Sequence, residues 1–449
     1  MNRPFGRRPS DIEGAEDAPA DTTAPAAAPV LHGGRPSKRF RDFVLSRLDP
    51  IVAATSSAAD LARIIEELVR DSANKHSVLL NEEEQRAVAL DLFNDIAGLG
   101  PLEPLLQDDA VTDILVNGAN QVFVERQGRL EATDVRFQSD DHVLHIAHRI
   151  AASIGRHVDI ASPMLDARLA DGSRVNVIIP PLSIDGPCIS IRKFSRRFLG
   201  LDEMVNFGSL SPNLAKFLQI VTRCRLNVII SGGTGSGKTS LLGAMSRFID
   251  PAERIVTIED SAELRLQKPH VIRLETRPPS IDGEGHVAQR DLVRNALRMR
   301  PDRIIVGEVR GEEAYDMLQA MNTGHDGSMS TVHANSPRAA LSRIQNMVLT
   351  ATANLPSRAI VEQMASAFHL VVQIERMRDG TRRVTEVSEI AGMEEGTILM
   401  VALFSYAYRG ENPDGSLDGN FLSNRIRPRF MPRIEYYGLT DALAEAMEL

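Results

Sequence analysis

At 449 residues, 43% of them hydrophobic and 25% charged, the chain has material for two or three folded domains, and its composition excludes both an integral membrane protein and a wholly disordered one. A net charge of -9 with 4% aromatics and no tryptophan argues against nucleic acid as a main partner, because single-strand binders pair a basic groove with aromatic stacking platforms. The 2 cysteines, Cys188 and Cys224, cannot supply a four-ligand structural zinc site and suit a reducing compartment.

Residues 1–37, including DIEGAEDAPADTTAPAAAP, offer too little apolar surface to offset ordering and are expected to form a disordered tail. Arg35, Lys38, Arg39 and Arg41 then read as the solvated start of a helix. Residues 38–100 are expected to form a helical bundle: Leu61, Ile64, Ile65, Leu68 and Val69 repeat at the spacing of a buried stripe. Asn81 and Glu84 have the spacing of a reciprocal N-terminal cap, and Gly98 closes that helix.

From 101 to 195 the pattern changes to short strands, broken by turns at Asn117-Gly118, Gln127-Gly128 and Asp171-Gly172. One helix, carrying Val143, Leu144, Ala147, Ile150, Ala151 and Ile154, interrupts them, which predicts a mixed α/β domain. Residues 196–210 read as a hinge linker. Ser211 and Pro212 suit an N-cap and first helical position, so a catalytic domain is expected over 211–449. No stretch approaches about 18 consecutive apolar residues, and the N-terminus lacks an apolar signal core, so a cytoplasmic location is expected.

The apolar run LNVIIS is followed by Gly232, Gly233, Thr234, Gly235, Ser236, Gly237, Lys238, Thr239 and Ser240, matching GxxxxGK[ST] between a strand and a helix. Glycines let successive N–H groups turn toward phosphate oxygens, and the helix N-terminus adds its positive end. Lys238 is placed to reach the β and γ phosphates of ATP, and the Thr239 hydroxyl to ligate Mg2+.

Farther on, RIVTIED ends in Glu259 and Asp260 with Glu263 nearby, a carboxylate cluster suited to a metal or a water. RIIVGEVRG puts Glu308 at the end of a strand but Gly307 where many P-loop enzymes hold an aspartate, so Glu259 and Asp260 are expected to share the metal site. In TGHDGSMSTVHANS, His325 and His333 flank a short strand. Their spacing fits no common zinc pattern.

These four motifs, in this order, resemble the secretion and pilus-assembly ATPases of the type II and type IV secretion superfamily. The GEVRG form, the helical region ahead of the mixed domain and the missing four-cysteine module make the chain similar to the CpaF/TadA motor of tight-adherence (Flp) pili. The resemblance spans roughly residues 40–449. It implies an α/β protein: a RecA-like P-loop NTPase C-terminal domain, preceded by a mixed α/β (PAS-like) domain and an N-terminal helical bundle.

It further implies ATP hydrolysis with Mg2+, Glu308 aligning or activating water, Glu259 and Asp260 supporting metal and water, and His325 and His333 sensing the γ phosphate. Arg168 and Arg174 of the mixed domain stand where such proteins bring arginine to the nucleotide, with Arg192, Arg298, Arg300 and Arg310 as competitors. The partners implied are a homo-oligomer, as a hexameric ring, and inner-membrane platform proteins that hold the enzyme at the membrane periphery. Two alternatives stay open: a conjugative type IV secretion ATPase, and a nucleotide-binding switch or scaffold without turnover.

Overall fold

The computed structural model describes residues 38–75, 80–126, 128–194, 199–277, 285–352 and 355–449. The proposed tail at 1–37 lies outside these. The described chain divides into two compact units, one running to Gln107 with Val135–Phe137, the other holding Asp108–Asp134 and Gln138–Leu449.

The first unit is helical: α1 (Lys38–Ser46), α2 (Pro50–Thr55), α3 (Ala58–Lys75), α4 (Glu82–Ala97) and the short α5 (Glu103–Gln107). Leu61, Ile65 and Val69 of α3 meet Val88 and Leu92 of α4 and Phe40 and Val44 of α1 in one apolar cluster. Each such side chain contributes roughly 1.5–3 kcal/mol on burial. α4 starts where the sequence predicts. The Asn81 side chain accepts from the Glu84 N–H at 2.8 Å and the Glu84 carboxylate accepts from the Asn81 N–H at 2.8 Å, which satisfies two backbone donors left over at the helix start.

The second unit contains two sheets. The smaller is antiparallel, with β1 (Val111–Asn117), β2 (Val122–Arg126), β3 (Arg129–Ala132), β4 (Met164–Arg168), β5 (Arg174–Ile178) and β6 (Cys188–Arg192) in the order β3-β2-β1-β6-β5-β4. α6 (Asp140–Ser153), capped by the Ser139 hydroxyl, buries Val143, Ile146, Ala147, Ile150 and Ala151.

The larger sheet follows α7 (Leu201–Asn206) and α8 (Pro212–Arg223) and is built from β7 (Val228–Gly232), β8 (Ile255–Glu259), β9 (Val271–Glu275), β10 (Arg303–Val309), β11 (Met329–His333), β12 (Leu370–Arg376), β13 (Arg382–Glu394), β14 (Thr397–Glu411) and β15 (Leu417–Ser423). Its order is β15-β14-β13-β12-β7-β11-β10-β8-β9. The strands from β12 to β9 in that order run parallel, and β13–β15 continue it as an antiparallel ribbon.

Helices α9 (Lys238–Ser246), α10 (Gln289–Ala296), α11 (Glu313–Asn322), α12 (Pro337–Ala351) and α13 (Ser357–Ala367) connect the parallel strands, and α14 (Met431–Tyr436) and α15 (Thr440–Met447) close the chain. β7 and β8 are buried along their whole lengths, which is why their sequences are continuous apolar runs rather than alternating ones.

The structure differs from the expected linker at 196–210. Residues 196–198 lie outside the described residues, and Leu201, Met204 and Leu210 join the apolar cluster of β7 and α8. Their spacing, with Val205, is helical, and burial of that stripe makes α7 part of the core instead of a free connection. No described helix is long and apolar enough to cross a membrane.

Candidate functional site

Parallel strands bring their C-terminal ends to one sheet edge, where open α/β sheets place ligands. That edge collects Gly232 from β7, Glu259 from β8, Gly307 and Glu308 from β10 and His333 from β11. His333 pairs in register with Gly232.

Beyond β7 the chain curls back before α9 begins at Lys238. Gly235 (φ +67) and Gly237 (φ +99) are left-handed, a conformation costly for residues with a side chain. A Cβ on Gly232 would lie 2.2 Å from the Ile374 carbonyl and 2.5 Å from the Ser236 hydroxyl, so no other residue fits. Thr234, Gly235 and Ser240 are exposed, whereas Ser236 is buried. The Lys238 ammonium donates to the Gly232 and Gly233 carbonyls at 3.1 and 2.9 Å. Burial lowers its pKa, while the charge of Glu308 raises it and that of Arg310 lowers it. The loop lysine and the β10 acid therefore share one electrostatic neighbourhood.

Glu308 sits at a shift in register between Val306 and Val309 of β10, and such irregularities re-aim side chains. Its carboxylate accepts from Arg310 Nε at 2.9 Å and also from Nη2. Arg310 Nη1 reaches Asp260 at 3.3 Å. Arg310 thus stands between the two acids.

Glu259 is 4% exposed. Its Oε2 accepts from the backbone N–H groups of Glu263 and Leu264 at 2.8 and 2.9 Å, and its Oε1 has no partner among the described residues. Burial pushes its pKa up to about 7 against those two hydrogen bonds. The glycine at 307 now has a physical reason: a Cβ there would lie 2.7 Å from Glu259 Cγ. The carboxylate from β8 fills the space that a side chain on β10 would need.

The arginines of the smaller sheet reach the loop that Glu259 pins. Arg168 donates to Glu275 at 2.7 Å and to the Ala262 carbonyl at 3.1 Å. Arg174 pairs with Glu263 at 3.0 Å and donates to the Ser261 carbonyl at 3.3 Å. A cavity of about 220 Å3 is lined by Arg174 and Lys193 together with Thr239, Ser240, Gly243 and Arg247 of α9 and its end. Arg174 and the loop helix therefore face a common space.

Two sequence expectations need correction. His325 precedes β11 and so belongs to the opposite edge of the sheet from His333, roughly 17 Å away along a five-residue strand. There it contacts the Ala320 carbonyl at 3.2 Å, and within one chain it cannot sense a phosphate on Lys238. Of the competing arginines, Arg298 and Arg300 also precede β10 on that far edge. Arg192 pairs with Asp113 at 3.1 Å and lines the same cavity as Arg174 and Thr239, so Arg192 and Arg310 remain.

Sequence reasoning passed over Arg382, whose Nε donates to the Gly235 carbonyl at 2.9 Å. Its signal was the Asp379-Gly380 pair between two strand-like runs, a hairpin mark.

As for a metal, Thr239, Asp260 and the unpartnered Oε1 of Glu259 are oxygen donors of the kind Mg2+ takes. The described residues hold no group of three or more His, Cys, Asp or Glu that could bind a metal unaided. The donor set fits an ion that relies on substrate phosphates for the rest of its shell.

A buried strand, a left-handed glycine loop and a lysine opening a helix, with an acid two strands away, define a P-loop nucleotide-binding protein. The chain belongs to the Type II/IV secretion system protein family, which matches residues 95–396. It is 37% identical over 353 residues, 77% of this chain and 99% of the relative, to a Mycobacterium tuberculosis protein named for a proposed part in conjugal transfer. It is 30% identical over 327 residues, 64% of this chain and 91% of the relative, to the type IV secretion system protein VirB11 of Bartonella quintana. A solved structure, the VirB11 ATPase of the Brucella suis type IV secretion system, is 28% identical, covering 64% of this chain and 95% of that one with a TM-score of 0.36.

Proposed function

We propose that the chain is an ATP-hydrolysing motor of a secretion-type machine, acting as a homohexameric ring at the inner-membrane periphery through platform proteins. The carrying observation is the placement of Glu308 on the same sheet edge as the Lys238 loop, with β11 between their strands. Two strand spacings amount to about 10 Å, room for a phosphoryl group and an attacking water side by side. Adjacent strands would leave about half that.

In this reading the loop N–H groups and Lys238 hold the β and γ phosphates. Glu308 orients a water in line with the γ phosphorus and accepts its proton. The water oxygen bonds to phosphorus, the bridging P–O bond to ADP breaks, and phosphate leaves. Positioning and charge stabilisation supply most of the acceleration in such a transfer. Thr239, with Glu259 and Asp260, would hold Mg2+, whose charge would offset that of the phosphates. Arg310 and His333 are further polar groups of that edge, and Arg174 enters from the smaller, PAS-like sheet. Arg168 and Arg174 grip the loop that Glu259 pins, which supports a relay from nucleotide to domain.

The helical unit ahead of the mixed sheet favours a tight-adherence pilus motor. The named relatives favour a conjugative machine equally well, and deletion of the gene separates the two by loss of surface filaments or loss of plasmid transfer. The central test is steady-state phosphate release. Glu308→Gln should keep ATP binding and lose roughly 100-fold or more in turnover, and Lys238→Ala should lose binding and turnover together. Undiminished turnover in Glu308→Gln would remove that residue from its role.

A further inference from the structure

The β12–β13 hairpin lies against the outer side of the phosphate loop. Its turn is internally fixed: the Met377 N–H donates to the Thr381 carbonyl at 2.7 Å, and Asp379 accepts from the Thr381 N–H at 3.0 Å. Asp379 also accepts from the Leu417 N–H at 3.0 Å, which ties the turn to β15. The hairpin backbone closes on the loop at Ile374, the residue whose carbonyl forbids a side chain at 232.

Two guanidinium groups flank this turn. Arg382 Nε donates to the Gly235 carbonyl at 2.9 Å, and its Cδ would be 3.4 Å from a Cβ on Gly237. Arg376 Nη1 stands 3.6 Å from the Cβ position of Gly235. Its other end donates to the Gly128 carbonyl, in the turn between β2 and β3, and pairs with Glu125 at 3.7 Å.

A trans peptide is planar, with C=O and N–H on opposite sides. Fixing the Gly235 carbonyl on Arg382 therefore turns the Ser236 N–H the other way, into the curl of the loop, where it makes a long bond of 3.4 Å to the Gly233 carbonyl. Gly235 is left-handed and exposed, and a glycine has more backbone freedom than any other residue. Without Arg382 the long bond from the Ser236 N–H to the Gly233 carbonyl, 3.4 Å, is left to hold this peptide, and its rotation would present a carbonyl oxygen where an anion needs a donor.

We propose that Arg382 is a positioning residue of the phosphate loop, holding the Gly235-Ser236 peptide so that its N–H faces the ligand, with Arg376 securing the same hairpin to the smaller sheet. This rests on the phosphate-binding reading of the loop. Arg382 touches the loop's backbone rather than the reacting atoms, so its influence belongs to binding and not to the chemical step.

The test measures ADP and pyrophosphate affinity and steady-state ATP turnover in the whole chain for wild type, Arg382→Ala, Arg382→Lys and Lys238→Ala, with thermal unfolding alongside. Arg382→Ala should weaken both ligands about ten-fold, the scale of one charge-assisted hydrogen bond. KM should rise by a similar factor while kcat stays within about two-fold of wild type. Arg382→Lys, which can donate but lacks the fixed fork, should fall between the two. If the alanine chain does not fold, the lysine variant carries the same comparison.

Unchanged affinity in a folded Arg382 variant overturns the proposal. So does a fall in kcat at saturating ATP with affinity intact, which would make Arg382 a transition-state group. Wild type binding neither ligand, or Lys238→Ala binding both normally, would instead sink the phosphate reading beneath it.

Discussion

Glu259 makes a quantitative prediction about pH. Its carboxyl is buried against Gly307, and burial moves its pKa from an ordinary 4.5 to about 7. Between those values the folded chain holds a proton that the unfolded chain has released. Raising the pH across the window therefore costs stability, and the cost levels off above about 7. At about 1.4 kcal/mol per pH unit, the full span corresponds to about 3 kcal/mol. Glu259→Gln removes the charge but keeps an oxygen that can accept from the Glu263 and Leu264 N–H groups. Its new amide N–H group falls where Oε1 has no partner, a cost of about 1–3 kcal/mol that does not vary with pH.

The assay compares urea unfolding of wild type and Glu259→Gln at pH 5, 6, 7 and 8, so that titrations common to both chains cancel in the difference. The wild type should lose ground to the variant, with the gap shifting by about 2.5 kcal/mol across the series, since part of the span lies below pH 5. Parallel profiles would refute the reasoning. A gap moving the other way would show a carboxylate stabilised in its charged form, for instance by Arg273.

Other changes test other parts of the structure. Gly307→Ala should destabilise by about 1–3 kcal/mol, because its Cβ would overlap Glu259 Cγ; in a double-mutant cycle by chemical denaturation, Glu259→Ala should relieve most of that cost. His333→Ala should lower phosphate release, whereas His325→Ala should leave kcat near wild type and act only on unfolding; the reverse pattern would contradict the two-edge placement. Arg303 is fully buried and pairs with Glu253 at 2.6 and 2.8 Å. Arg303→Ala leaves that carboxylate only its longer pair with Arg225 at 3.7 Å and should cost about 3 kcal/mol in the same denaturation assay.

How much of this was legible in the sequence depends on how far apart the interacting residues lie. The phosphate loop, the cap of α4 and the start of α8 are local events: a few neighbouring residues set backbone angles and hydrogen bonds, and spacing reveals them. Placing Glu259 over Gly307 required knowing that β8 and β10 are neighbours in register, which no local pattern encodes. The same ignorance put His325 and His333 together, since a motif read as text has no edges, whereas a strand separates its two ends. Arg382 was missed because its target is a backbone carbonyl far up the chain. α7 looked like a linker for a simpler reason, its polar residues drawing more notice than the apolar spacing of Leu201, Met204 and Val205.

Seen across generations rather than within one molecule, the contact between Glu259 and Gly307 is a constraint on inheritance. Neither position is free to drift alone: a larger residue at 307 has no room while a glutamate occupies 259, and a shorter residue at 259 leaves a gap over the glycine. Descendants are expected to change the two together or not at all. The acid could then migrate from one strand to its neighbour only through an intermediate that tolerates both or lacks both.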